Sequence, residues 1–281
     1  MKKIAFIGAG AMAEALISGM VAQHIIESKN IFVTNKSNEA KLANLSETYG
    51  VHGTRSVQET MKDADIVVLA VKPKDILSTM QTIQEYITTE MLLISVAAGV
   101  HTGSLEGIAA KKVAIVRAMP NTSATVGKSA TAICTNEYVT TDQRQAAIEL
   151  FETVGSVVVV EENQLDAVTG LSGSGPAYLY YLVEAMEKAA LNLGLEAETA
   201  KQLIIQTMLG TAEMLQHSSK SPATLRQEVT SPGGTTEAGL KVLEANQVGA
   251  SFIACIEEAT EQSKRMGKQI SEQLAEYIVT Q

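Results

Sequence analysis

The segment Lys3-Ile4-Ala5-Phe6-Ile7-Gly8-Ala9-Gly10-Ala11-Met12-Ala13 decides the fold of the first half of this chain. Its apolar start predicts a buried strand, and the G-x-G-x-x-A pattern that follows is typical of a turn that binds a dinucleotide. Gly8 permits a tight turn, Gly10 leaves room for a pyrophosphate, and Ala13 lets the next helix pack closely on the sheet. The helix N-terminus would then face the phosphates. The predicted cofactor contacts in this turn are Ile7, Gly8, Ala9, Gly10, Ala11, Met12 and Ala13.

From this turn to about residue 162, short apolar runs alternate with amphipathic segments. Several runs are continuous stretches of Val, Ile and Leu, as expected of strands that are covered on both faces. Strand and helix in alternation predict a parallel, doubly wound α/β sheet of the Rossmann type. The predicted strands are Lys3–Ile7, Ile31–Thr34, Asp65–Val71, Met91–Val96, Val113–Arg117, Ala130–Cys134 and Ser156–Val160. The predicted helices are Ala11–His24, Asn38–Tyr49, Val57–Lys62, Asp75–Tyr86 and Asp142–Val154.

The pattern changes after Glu162, where helical segments are separated by Gly, Ser and Pro and no strand-like run follows. We therefore predict a dinucleotide-binding domain over residues 1–162 and an all-α domain over residues 163–281. The predicted helices of the second domain are Ala177–Leu193, Ala197–Gln216, Pro222–Val229, Thr235–Ala245 and Ala250–Val279. The first of these is apolar on most sides, which indicates either a subunit interface or a central core helix.

Composition argues against several other classes of protein. Hydrophobic residues make up 46% of the 281 residues, which argues against general disorder. A formal net charge of −9 disfavours binding to nucleic acid. The two cysteines lie far apart and the four histidines are scattered, so the sequence predicts neither a disulfide framework nor a metal site.

The sequence also argues against a membrane location. No apolar stretch reaches the ~20 residues that a membrane-spanning helix needs. Lys2-Lys3 and the apolar run after them are similar to a signal peptide, but glycines interrupt the run and Glu14 follows it directly. We expect a cytoplasmic protein without membrane or nucleic-acid partners.

The end of the second predicted strand indicates which dinucleotide binds. A site that prefers NAD places Asp or Glu here to hold the ribose 2′-hydroxyl. This chain has Asn35, Lys36 and Ser37 instead, so no carboxylate repels a 2′-phosphate and Lys36 with Ser37 could bind one. An ordinary polar turn would use the same residues. We expect NADPH to be preferred, with NADH as a weaker alternative.

Three further loops follow predicted parallel strands, at the sheet edge where such folds bind ligands. Gly, Pro and Asn are common in any strand-to-helix loop, so each loop alone is weak evidence, and the shared edge strengthens it. The predicted cofactor contacts in these loops are Ala70, Val71, Lys72, Pro73, Ala97, Met119, Pro120 and Asn121.

Two loops rich in small residues lie in the second half. Leu171-Ser-Gly-Ser-Gly-Pro-Ala-Tyr178 joins the predicted domains; it fits a plain helix entry, and its small residues would let a flat nicotinamide ring lie against the backbone. Val229-Thr-Ser-Pro-Gly-Gly-Thr-Thr-Glu-Ala-Gly239 leads into a helix, so its exposed amides and hydroxyls suit a small carboxylate. A helix–turn–helix connection with a Thr cap would explain most of the second loop equally well.

Over nearly its whole length the chain resembles the pyrroline-5-carboxylate reductases, which complete proline biosynthesis. The resemblance rests on IGAGAMAEAL near the start, AVKP at 70–73, SVAAGV at 95–100 and RAMPNT at 117–122, and above all on DAVTGLSGSGPAY at 166–178 and VTSPGGTTEAGLKVLE at 229–244. Two positions depart from the family pattern: Ser123 replaces a Pro, and Glu228 stands where some relatives carry Asn.

The resemblance implies an oxidoreductase that transfers a hydride from NADPH or NADH to the C=N bond of Δ1-pyrroline-5-carboxylate. It implies that Ser231 and the amides around Gly233, Gly234 and Thr235 bind the substrate carboxylate, and that Thr236 hydrogen-bonds the ring nitrogen as the catalytic residue. Glu162 would lie near the substrate pocket. The all-α domain would be a dimerisation unit, giving a homodimer or a higher oligomer.

Two other functions are compatible with the fingerprint. A β-hydroxyacid dehydrogenase needs a Lys and an Asn on the interdomain helix, but Leu179 and Val183 stand at those positions when the pattern is aligned from Gly175. A non-catalytic NADP-binding protein would tolerate a damaged substrate loop, but Ser231 and Thr236 are both present. A hydride acceptor with a C=N bond also needs no strong protein acid, which agrees with the lack of an evident His or Lys base.

Overall fold

The computed structural model describes residues 3–279, apart from the side chains of residues 274 and 277–279. Within them lies an eight-stranded sheet in the order β3-β2-β1-β4-β5-β6-β7-β8. The strands are β1 Ile4–Ile7, β2 Ile31–Thr34, β3 His52–Gly53, β4 Ile66–Leu69, β5 Leu92–Ser95, β6 Ala114–Met119, β7 Ser129–Thr135 and β8 Gly155–Val159. The first six strands have the strand order of a Rossmann fold, with the order reversing beside β1.

Helices cover the sheet and fill the rest of the chain. In the first part they are α1 Ala11–Ala22, α2 Glu39–Tyr49, α3 Val57–Met61, α4 Ile76–Ile83, α5 Thr102–Ala109, α6 Thr141–Glu152 and the short α7 Leu165–Val168. After a π-helical stretch, Thr169–Gly173, come α8 Gly175–Asn192, α9 Ala197–His217, α10 Pro222–Glu228, α11 Thr235–Ala245 and α12 Val248–Val279. No helix in the described part of the chain is long and apolar enough to cross a membrane.

The sheet is doubly wound as predicted, but the prediction of parallel strands was wrong at one pair. Strands β1 to β6 are parallel to their neighbours, but β6 pairs with β7 in antiparallel register, with Ala118 opposite Ile133. Only a loop with one 3₁₀ turn, Thr122–Val126, connects these two strands. A parallel crossover needs a dozen or more residues and usually a helix, so this short connection reverses the chain. Strand β8 then runs parallel to β7.

The core of the sheet explains the continuous apolar runs of the sequence. Alternate side chains of β1 point to opposite faces, with Phe6 in the cluster under α1 and α6 and Ala5 in the cluster under α4 and α5. Both residues are fully buried. A strand that is covered on both faces needs apolar residues at every position, so no period-two pattern appears.

Two elements of the first half were not predicted from the sequence. Strand β3 is only two residues long and its pattern is too short to read. Helix α5 contains two glycines, which lower its helix propensity. The predicted helix over residues 75–86 is shorter, since α4 is flanked by the 3₁₀ turns Pro73–Asp75 and Gln84–Tyr86.

The chain forms two compact units. The first contains the residues up to Ser174 together with those from Glu257 onward, and the second contains Gly175–Ile256. Helix α12 therefore begins in the second unit and continues into the first. The boundary between the two domains that the sequence predicts, at residue 162, stays a prediction.

The second unit is helical and buries little of its apolar surface. Its buried apolar side chains, among the described residues, are Ala200 and Ile204 on α9. The aromatic rings of Tyr178 and Phe252 meet edge to face at 6.0 Å. Large apolar side chains along α8 are exposed, including Tyr180 at 63% and Tyr181 at 73%. An exposed apolar surface of this kind is typical of a surface that binds another molecule.

Candidate functional site

The turn after β1 has the geometry that its glycines predict. Gly8 adopts φ +111°, where residues with a Cβ are strained, and a Cβ there would lie 2.3 Å from the Ala70 carbonyl oxygen. The Gly8 amide donates to the Thr34 carbonyl at 2.9 Å. The turn is thereby fixed against the ends of β2 and β4, at the point where the strand order reverses.

Gly10 has a different role from Gly8. It is the N-cap of α1 with ordinary extended backbone, and a Cβ there would meet no heavy atom of the described residues within 4 Å. Gly10 has no side chain with which to cap the helix, so the first-turn amides of α1 remain available to a ligand. The open space above Gly10 fits the close approach of a pyrophosphate to these amides.

Three other predicted residues of the turn lie in or against the core, and their contacts with the cofactor stay predictions. Ala13 is fully buried in the core under α1, which allows the close packing of helix and sheet. Ala9 and Met12 pack partly buried against the same core. The one carboxylate of the first turn, Glu14, accepts a hydrogen bond from Lys41 at 2.5 Å. This ion pair offsets a negative charge that would otherwise face the phosphates.

A pocket of about 600 Å³ opens beside this turn, at the ends of β1, β2 and β4. Seven predicted cofactor residues line it, namely Ile7, Gly8, Asn35, Lys36, Ala70, Val71 and Lys72. The structure adds Arg55, Val57 and Lys74, and the α4 residues Ser78, Thr79, Thr82 and Ile83. Four cationic side chains and one carboxylate, Asp75, line the pocket, so it suits an anion with an apolar or aromatic part.

Thr34 is a buried polar residue of the same pocket with an unfilled hydrogen-bonding capacity. It ends β2, lines the pocket and is 3% exposed, yet its hydroxyl oxygen has no hydrogen-bond partner among the described residues. Leaving a buried hydroxyl unpaired costs about 1–3 kcal/mol. An orphaned hydroxyl in a cationic pocket is consistent with a site built for a polar ligand.

The loop after β2 is shaped by its own side chains. The Asn35 side-chain oxygen Oδ1 accepts from the backbone amides of Ser37 and Asn38 at 3.1 and 2.7 Å, and its Nδ2 donates to the Asn38 backbone carbonyl. Asn38 in turn caps α2 by accepting from the Lys41 amide. Asn35 therefore holds the turn, while Lys36 and Ser37 are exposed. Their predicted contacts with the cofactor stay predictions.

The loops after β5 and β6 lie outside the lining of this pocket. Gly99 adopts φ +73° against α12, where a Cβ would lie 3.1 Å from the Gly267 amide nitrogen, and Ala97 is buried just before it. The Asn121 side chain donates to the Ser172 carbonyl at 3.0 Å. Met119 lies so close to Gly173 that a Cβ there would be 2.5 Å from its terminal methyl. The predicted cofactor contacts of Pro73, Ala97, Met119, Pro120 and Asn121 stay predictions.

Glu162 lies in a polar cluster of the first unit. Its carboxylate accepts from the amide and the hydroxyl of Thr102, both at 2.7 Å, and lies 3.5 Å from Arg117. The Arg117 side chain is 3% exposed and also lies 3.2 Å from His101 Nδ1 and 3.7 Å from Asp166. Burial alone would raise the pKa of Glu162, but the neighbouring His101, the Thr102 donors and the Arg117 charge lower it to about 2. Glu162 is thus ionised and engaged, and its predicted contact with substrate stays a prediction.

The same cluster extends to α12. Ser263 is buried and its hydroxyl donates to Asp166 at 2.6 Å. Arg117 and Asp166 therefore connect β6, α7 and α12 by buried polar contacts. Arg117 was not predicted as a partner of Glu162, because the two residues are 45 positions apart and only the folded chain brings them together.

The predicted substrate loop forms a turn into α11 within the second unit. Gly233 adopts φ +72°, and its amide donates to the Glu237 carboxylate at 2.8 Å. The Gly234 amide donates to the Ser231 carbonyl at 3.0 Å, and Gly234 is the N-cap of α11. Ser231, Thr235 and Thr236 are exposed. The turn presents hydroxyls and the first amides of a helix on one short segment.

The sheet order, the Gly8 turn and the cationic pocket together define a dinucleotide-binding protein of the Rossmann class. Pyrroline-5-carboxylate reductase 2 of Bacillus subtilis (strain 168) is 46% identical to this chain, over 96% of the chain and 97% of the relative. The chain belongs to the pyrroline-5-carboxylate reductase family.

Further comparisons agree with this family. Residues 162–266 match the family model for pyrroline-5-carboxylate reductase dimerisation, and residues 3–99 match the model for NADP oxidoreductase, coenzyme F420-dependent. The pyrroline-5-carboxylate reductase of Methanosarcina acetivorans is 38% identical over 95% of this chain and 98% of the relative.

Solved structures of the family also match this chain. The pyrroline-5-carboxylate reductase of Coxiella burnetii matches with a TM-score of 0.87 and 41% identity, covering 94% of this chain and 98% of that one. The Plasmodium falciparum enzyme, solved with NADP bound, matches with a TM-score of 0.86, 33% identity and the same coverage. This chain is thus an oxidoreductase with a helical dimerisation domain after its Rossmann domain, and its activity is reduction of pyrroline-5-carboxylate.

Proposed function

We propose that this chain completes proline biosynthesis by reducing the C=N bond of Δ1-pyrroline-5-carboxylate to L-proline, with NADPH preferred over NADH. The observation that carries the choice of cofactor is the pocket beside β2, which is lined by Lys36, Arg55, Lys72 and Lys74 and by Thr34, whose hydroxyl has no partner among the described residues. A ligand with a phosphate and a ribose would supply partners to both kinds of group.

The dinucleotide would be held by the sheet edge of the first unit. The amides at the start of α1, above Gly10, would receive the pyrophosphate. The pocket would receive the adenosine end, with Val57, Val71 and Ile83 as apolar walls. The loops at Ala97 and Met119–Asn121 follow the strands on the other side of the order reversal, where the nicotinamide end of a dinucleotide lies in this fold.

The loop from Ser231 to Thr236 would hold the substrate. Ser231 and the amides from Thr235 onward would bind the carboxylate, because a helix start offers several N–H donors to one anion. The Gly233 amide already donates to Glu237 and the Gly234 amide to the Ser231 carbonyl, so these two glycines would shape the turn, Gly233 through its positive φ. Thr236 would place its hydroxyl at the ring nitrogen.

The bound NADPH supplies the hydride for the imine carbon. The chain's own task is to hold that carbon at the nicotinamide and to stabilise the nitrogen as it becomes an amine. The Thr236 hydroxyl would hydrogen-bond this nitrogen. An imine is basic enough to take its proton without a strong acid, which suits a loop that carries hydroxyls and amides.

The active protein would be a homodimer or a multiple of one. The second unit exposes large apolar side chains on α8, α9 and α11 and buries few of its own, which favours a subunit interface over a central core helix. A cytoplasmic location and the absence of nucleic-acid partners also stay proposals. The acidic net charge and the two free cysteines are consistent with both.

An absorbance assay tests the reaction directly. The purified protein should oxidise NADPH only when pyrroline-5-carboxylate is added. One proline should form for each NADPH consumed. A 3-hydroxy acid with NADP serves as the matched control for the dehydrogenase alternative, and no reduction is expected there. Binding of NADPH without turnover of pyrroline-5-carboxylate would contradict the proposal and favour a non-catalytic binding protein.

A further inference from the structure

We propose that Arg55 selects for the 2′-phosphate of the dinucleotide, and that Glu39 competes with this phosphate for the Arg55 guanidinium. The inference rests on the proposed use of NADPH and deepens it, because it assigns the selectivity to two residues outside the strand-to-helix loop Asn35–Ser37. Arg55 comes from the turn between β3 and α3, and Glu39 begins α2.

The position of Arg55 is fixed by two contacts. Its Nη2 donates to the Lys36 carbonyl at 3.1 Å, and its Nη1 donates to the Glu39 carboxylate at 2.9 Å. The guanidinium therefore lies against the backbone of the loop where NAD-preferring proteins carry an acidic residue. Arg55 lines the pocket and 54% of its side chain is exposed, so a ligand can reach it.

Arg55 is better suited to this phosphate than Lys36 alone. A guanidinium offers two parallel N–H groups to a phosphate, whereas an ammonium acts as a point charge. Lys36 is exposed, and Asn35 uses its side chain to hold the turn. Among the described pocket residues, Arg55 is the one that combines a planar pair of donors with a backbone anchor beside β2.

Binding of the 2′-phosphate would replace Glu39 as the partner of the Arg55 guanidinium. Its carboxylate is exposed and pairs with Arg55, so a bound 2′-phosphate would take over that guanidinium and release Glu39 to water. The exposed ion pair contributes little by itself, so the exchange is inexpensive. Glu39 would still repel the phosphate at close range. Removing the Arg55 charge should therefore weaken binding of a 2′-phosphate, and removing the Glu39 charge should strengthen it.

Isothermal titration of the full chain with two probes tests this exchange without catalysis. The probes are 2′,5′-ADP, which carries the 2′-phosphate, and 5′-AMP, which lacks it. The variants are Arg55→Gln, Arg55→Lys and Glu39→Gln. Arg144→Gln is the matched control, because Arg144 is exposed on α6, outside the pocket lining, and loses the same charge. Thermal unfolding checks that each variant folds.

The expected results have opposite signs at the two sites. Arg55→Gln should weaken 2′,5′-ADP by about 10-fold or more and leave 5′-AMP within about 2-fold, with Arg55→Lys in between. Glu39→Gln should tighten 2′,5′-ADP by about 2- to 5-fold, an effect that high salt removes. Arg144→Gln should change neither.

Two results would overturn the inference, and they are distinguishable. If the wild type binds both probes equally, the proposed NADPH preference fails and Arg55 loses its role with it. If the wild type prefers 2′,5′-ADP but Arg55→Gln keeps the same preference, the cofactor proposal stands and only this inference is wrong. Weaker binding of 2′,5′-ADP by Glu39→Gln would contradict the competition.

Discussion

The carboxylate of Glu162 caps helix α5 by accepting from the Thr102 amide and hydroxyl, both at 2.7 Å, although the two residues are 60 positions apart. The buried guanidinium of Arg117 lies 3.5 Å from the same carboxylate, and His101 Nδ1 lies 3.7 Å from it. One side chain thus satisfies a helix N-terminus and a buried cation at the sheet edge where the loops for the cofactor lie.

This contact predicts a pH-dependent loss of stability in Glu162→Gln. The pKa of Glu162 is lowered to about 2 in the folded protein, below the value of about 4.3 in an unfolded chain. A depressed pKa contributes stability that is fully present above about pH 4–5 and is lost as the pH falls towards 2. Glu162→Gln should therefore reduce the free energy of unfolding by about 1–3 kcal/mol at pH 7.

Urea unfolding at several pH values measures this difference. The gap between wild type and Glu162→Gln should shrink below about pH 4. Glu47→Gln, an exposed residue on α2, is the control and should stay close to wild type throughout. A gap that is constant from pH 7 to pH 3 would show that the Glu162 charge does not stabilise the fold.

Alanine substitutions at the two glycines of the fingerprint, Gly8 and Gly10, should have different effects. Gly8→Ala forces a Cβ to within 2.3 Å of the Ala70 carbonyl at a positive φ, so it should destabilise the first unit severely. Gly10→Ala has space and ordinary backbone, so the melting temperature should be retained while NADPH affinity falls by about 10-fold or more.

Thermal unfolding and fluorescence titration with NADPH separate the two effects. Gly103→Ala is a matched control, because a Cβ there also meets no heavy atom of the described residues within 4 Å and the site lies on α5. If Gly10→Ala binds NADPH as tightly as wild type, the pyrophosphate does not approach the start of α1.

A carboxylate in the loop after β2 should erode the NADPH preference. Ser37 is exposed beside Lys36, so Ser37→Asp would place a negative charge where the 2′-phosphate is proposed to bind. The ratio of kcat/KM for NADPH over NADH should fall by about 10-fold or more, mainly through NADPH. Ser37→Asn is the neutral control for size. A wild-type kcat/KM that is higher with NADH would refute the assignment of the pocket.

The hydroxyl of Thr236 should matter for the chemical step. Thr236→Ala should lower kcat/KM for pyrroline-5-carboxylate by about 10- to 100-fold, since a hydrogen bond to a charged group contributes about 1.5–3 kcal/mol. Thr236→Ser keeps the hydroxyl and should retain more activity. Steady-state kinetics with both variants, beside NADPH titration, give the comparison.

Ser231→Ala separates carboxylate binding from the reacting bond. It should mainly raise the KM for substrate, and NADPH affinity should change little in all three loop variants. If Thr236→Ala turns over substrate with the wild-type kcat and KM, the loop is only a connection between α10 and α11.

Assembly should depend on the apolar surface of α8. Light scattering at micromolar concentration should give a dimer or a multiple of one, and Tyr181→Glu should shift it towards smaller species because a charge is costly in an apolar interface. Arg144→Glu, on the exposed face of α6, should leave the assembly unchanged. A stable wild-type monomer would contradict the proposed dimer.

Much of the first unit could be predicted from local sequence. The apolar runs fixed β1, β2 and β4 to within two residues, because strands buried on both faces need apolar side chains throughout. The Gly8 and Gly10 pattern located the turn, since only glycine tolerates the contact at Ala70 and leaves the space above α1. The helices of the second half were also close to their predicted bounds, because caps and breakers are local signals.

Other features were decided only by the tertiary structure. Strand β7 runs antiparallel to β6 because β6 extends to Met119 and β7 begins at Ser129, and the folded sheet sets these bounds. Helix α5 has its N-terminal amide satisfied by Glu162 from a distant segment. Arg55 joins Lys36 at the pocket because β3 pairs with β2, although β3 is two residues long and carries almost no pattern. Local sequence determines which elements form and which turns need glycine, because these depend on backbone sterics and side-chain burial. The partners of charged side chains depend on which strands pair and which helices pack, so only the folded chain decides them.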